Sequence, residues 1–157
     1  MSSTATDTAP LLETRALRVT YGTPAGPVSV VREVDLAIRR SEFLGIVGES
    51  GSGKSQLLLA LLGLSAPGAR LTGSIRYAGT ELIGAGDAAL NRIRGDRIAM
   101  IFQDPMTALN PYLSVGVQIS EVLELHRGLA RAAALRRAAE LLDAVQISDA
   151  RRRLAQY

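Results

Sequence analysis

The sequence predicts an α/β protein organised around a glycine-rich turn between a strand and a helix, and three observations predict it. Gly48-Glu49-Ser50-Gly51-Ser52-Gly53-Lys54-Ser55 satisfies G-x-x-x-x-G-K-[ST] at every constrained position. The motif follows Phe43–Val47, a short apolar run without alternation, which reads as a strand buried on both faces of a parallel sheet. It opens into Gln56–Leu62, too leucine-rich to read as anything but a helix. Strand, glycine-rich loop, helix is the order that phosphate binding by such a loop requires.

The elements follow along the chain. Residues 1–10 are polar, end in Pro10 and read as a flexible tail. Leu17, Val19 and Tyr21 alternate with Arg18 and Thr20, the period of a half-buried strand. Gly22–Pro27 reads as a loop. Val34, Leu36 and Ile38 then share one face of a second strand, giving an antiparallel β element near the N-terminus. Gly63 and Pro67-Gly68 end the leucine-rich helix, Thr72–Tyr77 reads as a strand, and Asp87 is placed to N-cap a short helix through Arg94. Ile98–Phe102 reads as a second strand buried on both faces. Pro105 and Pro111 mark irregular backbone. Val115, Ile119, Val122 and Leu123 fall at helical spacing, and residues 130–145 form an Ala-rich helix with Leu135, Ala138, Leu142 and Val145 on one face.

Composition narrows the function classes. With 47% hydrophobic and 21% charged residues in 157, the chain can bury a core and amounts to about one domain. It has no cysteine, which excludes disulfides, thiolate metal sites and a Cys nucleophile, and its one histidine, His126, excludes a two-His mechanism. The longest apolar run, Leu57–Leu64, is far short of the ~20 residues that span a bilayer, and the N-terminus lacks the basic and apolar regions of a secretory signal. The reading is a soluble or peripheral, cytoplasmic protein. A net charge of +3 and a pI near 9.8 would admit nucleic acid as a partner, but basic and aromatic residues do not interleave and no groove-reading motif is present, so none is expected. Of the 18 basic residues, 17 are Arg and one is Lys, at position 54. Lysine is a compact point charge where arginine is a wide fork, so the single lysine directs attention to the loop.

The loop's chemistry follows from its residue types. Glycines let successive backbone N–H groups converge on phosphate oxygens, and the helix that begins at the loop's end adds its positive dipole end. Lys54 reaches the β- and γ-phosphates, and the Ser55 hydroxyl ligates Mg²⁺.

Beyond the loop, Ile101-Phe-Gln-Asp-Pro-Met-Thr-Ala-Leu-Asn-Pro111 and Val122-Leu-Glu-Leu-His-Arg-Gly128, with Tyr21 upstream, carry a family resemblance over residues 11–157. The chain resembles the ATP-binding subunit of an ABC transporter, in the oligopeptide/dipeptide (peptide/nickel) importer branch. The resemblance implies an ABC-type P-loop NTPase fold with an N-terminal antiparallel β element and a helical subdomain. Residues 11–102 would form the nucleotide-binding core, and 103–157 the Q-loop with part of the helical subdomain. Tyr21 resembles the aromatic residue that stacks on adenine; it reads equally as a strand-end core tyrosine. Gln103 resembles the Q-loop glutamine near Mg²⁺ and the γ-phosphate; it reads also as a polar residue closing a buried strand. Nucleotide binding would then involve Tyr21, Gly48–Gln56 and Gln103, with Ser55 and Gln103 at the metal. ATP and Mg²⁺ are the implied ligands. Implied partners are integral-membrane permease subunits, a second ATP-binding subunit and, indirectly, an extracytoplasmic substrate-binding protein, at the cytoplasmic face of the membrane. His126 reads as a half-exposed helix-end residue with no catalytic role. Arg151–Arg153 reads as a solvated helix end or a docking face.

The family's signature motif, its Walker B Asp-Glu, its D-loop and its switch histidine are not among these 157 residues. By resemblance the signature would begin a few residues beyond Arg153-Leu-Ala-Gln-Tyr157, so the fold is expected to be incomplete at the C-terminus. Without a carboxylate to hold Mg²⁺ and one to polarise the attacking water, hydrolysis by this chain alone is expected to be very slow, with no complete catalytic set. The sheet is expected to expose apolar edges. Two other classes fit the loop. One is a small-molecule P-loop kinase with Asp104 as the Walker B carboxylate and Arg151–Arg153 as a lid. The other is a non-catalytic nucleotide-binding module.

Overall fold

The computed structural model describes residues 9–103 and 108–157. The expected tail lies outside these residues up to position 8, and so do Asp104, Pro105, Met106 and Thr107. The chain divides into two units, Met1–Leu90 and Asn91–Tyr157.

The first unit is built on a hairpin of long strands, β1 (Leu12–Thr23) and β2 (Gly26–Ile38). The stretch expected as a loop, Gly22–Pro27, is almost all strand. Gly22 pairs with Pro27 and Thr23 with Gly26, which leaves only Pro24 and Ala25 to make the turn. The strand β3 (Ala69–Tyr77) pairs antiparallel with the other edge of β1, and the short β4 (Thr80–Glu81) with β3, so the order is β2-β1-β3-β4. β1 is therefore interior to the sheet, and Leu17 and Val19 are fully buried, as is Ile75 of β3. The helix α1 (Lys54–Leu61) approaches β1 and β2 and buries Leu57, Ala60 and Leu61. It stops with Leu62 as C-cap and Gly63 in the left-handed region, the stop expected from Gly63.

The two strands expected to be buried on both faces are not formed. Phe43–Val47 has no strand partner, with Phe43 and Val47 fully exposed. Ile98 makes only an isolated parallel bridge with Arg94, and Ile101 is fully exposed. The physical reason is that a parallel strand has no stability by itself. Its hydrogen bonds and both buried faces come from neighbours, and among the described residues none flanks either segment. The apolar pattern is present and its partners are not among the described residues, so Phe43, Val47 and Ile101 stand exposed and no parallel-sheet edge is formed.

The helix α2 (Asp87–Asn91) begins at Asp87 and ends before Arg94; Gly86, whose carbonyl accepts from the amides of Ala89 and Leu90, takes the cap position expected of Asp87. In the second unit α3 (Val115–Arg127) starts at Ser114, whose hydroxyl accepts from the Val117 amide, and ends at Gly128 with φ 63°. α4 (Arg131–Ala144) buries Ala134, Ala138, Ala139 and Leu142. Val145, expected on that face, is the C-cap and is 66% exposed, because the helix ends one residue before it. A short α5 (Ala150–Arg153) closes the unit, with Ala139, Leu142 and Ala150 packed against Val115, Ile119 and Leu154. The amides of Val115 and Gly116 donate to the carbonyls of Gln156 and Leu154, which ties the start of α3 to the segment after α5. Among the described residues no helix is long and apolar enough to cross a membrane.

One carboxylate links the β3–β4 hairpin. Glu81 accepts from the Ser74 hydroxyl and from the amides of Ile75 and Ile83. Burial pushes its pKa up, but the bonds from Ser74 and from the backbone amides together outweigh burial, and it lies below the ordinary carboxylate value. Because the folded pKa is depressed, the contribution to stability is complete above the ordinary carboxylate range and is lost as pH falls through the depressed value. Urea midpoints measured from neutral to acid pH should therefore fall more steeply for the native protein than for Glu81→Gln; parallel profiles would remove Glu81 from the acid response.

Candidate functional site

The loop Gly48–Gly53 leads directly into α1. Gly51 and Gly53 both have positive φ, 80° and 94°, but for different reasons. At Gly51 a Cβ would meet nothing, so the requirement there is conformational. At Gly53, the N-cap of α1, a Cβ would lie 2.3 Å from the Val30 carbonyl oxygen. β2 thus presses its backbone against the loop at this point, and only glycine fits. Val30 was not a candidate from sequence. It acts through a main-chain atom, and no side-chain pattern could have signalled it.

Lys54 is the first residue of α1 and folds back over the loop. Its Nζ donates to the carbonyls of Gly48 and Glu49, both at 2.7 Å, and to Ser52 Oγ at 3.4 Å. The ammonium group is thus held over the ring of backbone that a phosphate would enter. Ser50 and Ser55 are exposed, the latter in the first turn of α1. A cavity of about 750 Å³ runs between the loop and β2, lined by Val30, Val31, Val34, Ile46, Lys54 and Leu57 among others.

Tyr21 and Gln56 meet. The phenol hydroxyl donates to Gln56 Oε1 at 2.8 Å, so the tyrosine of β1 reaches the first turn of α1. Tyr21 is half-buried. Gln103 is exposed and belongs to the second unit. Asp104, the carboxylate of the kinase reading, lies outside the described residues. His126 is half-buried in the last turn of α3, with Arg127 paired to Asp96 at 3.4 Å beyond it. In α5, Arg152 pairs with Asp149 and Arg153 bonds Gln156; all three arginines are exposed.

A family model described as ABC transporter matches residues 31–157. The chain belongs to the ABC transporter family. It is 49% identical over 147 residues to the oligopeptide transport ATP-binding protein OppD of Salmonella typhimurium, and 48% identical over 147 residues to that of Escherichia coli K12. Each alignment covers 94% of this chain and 44% of the relative, so the chain spans less than half the length of these curated relatives. Among solved structures, the dimeric bacterial ABC transporter cassette MJ0796 superposes with a TM-score of 0.77 at 26% identity, covering 93% of this chain and 60% of that one. A second structure of that cassette, in a post-hydrolysis state with ADP and Pi, superposes equally well over 92% and 60%. The ABC-type fold expected from the loop and the Gln103 segment is thereby borne out.

The loop of this ABC chain fits a polyphosphate. The first turn of α1 begins at the loop, and Lys54 Nζ is held on carbonyls that a phosphate oxygen can replace.

Proposed function

We propose that this chain is the ATP-binding portion of a peptide importer's ATPase subunit. The observation that carries it is the Lys54 ammonium held over the Gly48–Gly53 loop at the start of α1, in a chain 49% identical to a protein named for oligopeptide transport. Residues 11–102 serve as the nucleotide-binding core and 103–157 as the Q-loop and part of the helical subdomain. The loop from Gly48 to Ser55 and the backbone amide of Gln56 bind the phosphates of ATP, and Tyr21 offers its ring to the adenine. Mg²⁺ would be held by the Ser55 hydroxyl and would supply charge neutralisation at the phosphates. The chain's own residues bind and orient: Lys54 offsets phosphate charge, and the glycines admit the phosphate to the backbone amides.

The chain works at the cytoplasmic face of the membrane, in an assembly with integral-membrane permease subunits, a second ATP-binding subunit and, indirectly, an extracytoplasmic substrate-binding protein. The expected test is growth. Cells that need an amino acid and receive it only within a short peptide should stop growing when the gene carries Lys54→Ala, and should still grow on the free amino acid. Undiminished growth on the peptide would overturn the peptide-import reading.

A further inference from the structure

β1 fixes the backbone of Tyr21 from both sides, since Tyr21 pairs with Val28 of β2 and with Ala69 of β3. Backbone pairing by itself does not fix the ring: a half-buried tyrosine near the end of a strand can still turn about its side-chain torsions. The far end of the ring is held instead by the 2.8 Å bond from its hydroxyl to Gln56 Oε1, across 35 positions of sequence.

We infer that Gln56 is a positioning residue for base recognition: by holding the Tyr21 hydroxyl it sets the plane of the ring beside the phosphate loop before nucleotide arrives. The inference rests on the reading of Tyr21 as the adenine platform. Its chemistry is that of a ring with a polar edge and apolar faces. A hydrogen bond in the ring plane restrains the edge and leaves the faces free to stack. A ring already ordered loses less conformational freedom when the base lands on it, and that difference appears as affinity for the base. The pairing also joins the two halves of the ligand site, because Gln56 follows directly on Ser55 and stands in the same helical turn as Lys54. Phenylalanine at 21 would stack as well as tyrosine but could not be tied, so the hydroxyl and the amide are the parts with a role of their own.

The test separates base from phosphate. In the full-length protein, ATP and inorganic tripolyphosphate are titrated in parallel, and the ratio of their affinities is the readout. Losing one neutral hydrogen bond is worth about a three- to tenfold change. Tyr21→Phe and Gln56→Met should each lower the preference for ATP by that factor, and the double variant should lower it no further than either alone. Gln56→Glu keeps an acceptor and should restore the ratio, since its added charge weighs on both ligands alike. Retained tripolyphosphate binding shows in each case that the loop is folded, and Tyr21→Phe carries the test if Gln56→Met does not fold. If Tyr21→Ala lowers the ratio while Tyr21→Phe and Gln56→Met leave it unchanged, the inference is overturned and the adenine reading stands. Additive effects in the double variant overturn it also. An unchanged ratio in Tyr21→Ala overturns both.

Discussion

Replacing Lys54 by alanine is expected to weaken ATP binding by about 30-fold or more. The ammonium group is the one lysine of the chain, and it already lies over the loop, bonded to the carbonyls of Gly48 and Glu49. When phosphate enters, that positive charge is matched to oxygen; without it, β- and γ-phosphate charge is left facing carbonyl oxygens. Breaking one partner of a desolvated charge pair costs about 2–5 kcal/mol, and each 1.4 kcal/mol is tenfold. Lys54→Arg should recover little, because a planar fork does not fit where a compact point charge turns back over a tight loop. Equilibrium titration with a fluorescent ATP analogue measures the effect. Affinity unchanged in Lys54→Ala would remove the loop from the binding site.

The second large effect is expected at Gly53. An added methyl group would lie 2.3 Å from the Val30 carbonyl oxygen on a residue with φ 94°. Either β2 moves away from the loop or the loop leaves its conformation. Backbone strain of this kind costs ~1–3 kcal/mol by itself, before any overlap. Gly53→Ala should therefore destabilise the protein by about 3 kcal/mol or more, a fall in Tm of roughly 6–12 °C for a chain of this size, and should lose phosphate binding with it. Gly51 supplies the comparison. Its φ is also positive, but a Cβ there meets nothing, so Gly51→Ala should cost only its conformational share, about 1 kcal/mol. Thermal unfolding of both variants checks the order. A Gly51→Ala cost equal to that of Gly53→Ala would show that the close approach of Val30 does not matter.

The N-terminal strands were legible because Leu17 and Val19 lie buried where the alternation puts them, with Arg18 and Thr20 between them only half-buried. α1 and its stop at Gly63 were legible for a local reason, since leucine favours helix and glycine accepts a positive φ. The failures are equally specific. Phe43–Val47 and Ile98–Phe102 have the composition of parallel strands, but such strands exist only through neighbours, and composition does not say whether the neighbours are at hand. Gly22–Pro27 reads as a loop from its glycines and prolines, yet the strands on either side keep pairing until two residues remain. Val145 continues the apolar stripe of α4 after the helix has ended.

In the candidate site, sequence alone placed the loop, its lysine and its hydroxyl, because each expected role belongs to a residue type at a set spacing. It also carried enough of the ABC pattern to place Tyr21 and Gln103 among the candidates. Only the tertiary structure decided why the glycines are needed and what Gln56 touches. Gly51 answers to its own backbone, whereas Gly53 answers to a carbonyl on β2, 23 positions earlier in the chain. Tyr21 and Gln56 come together because β1 and the start of α1 converge. Local chemistry is written in neighbouring residues and can be read from them. A contact between distant residues is fixed by how the sheet and helix pack, and no spacing along the chain encodes it.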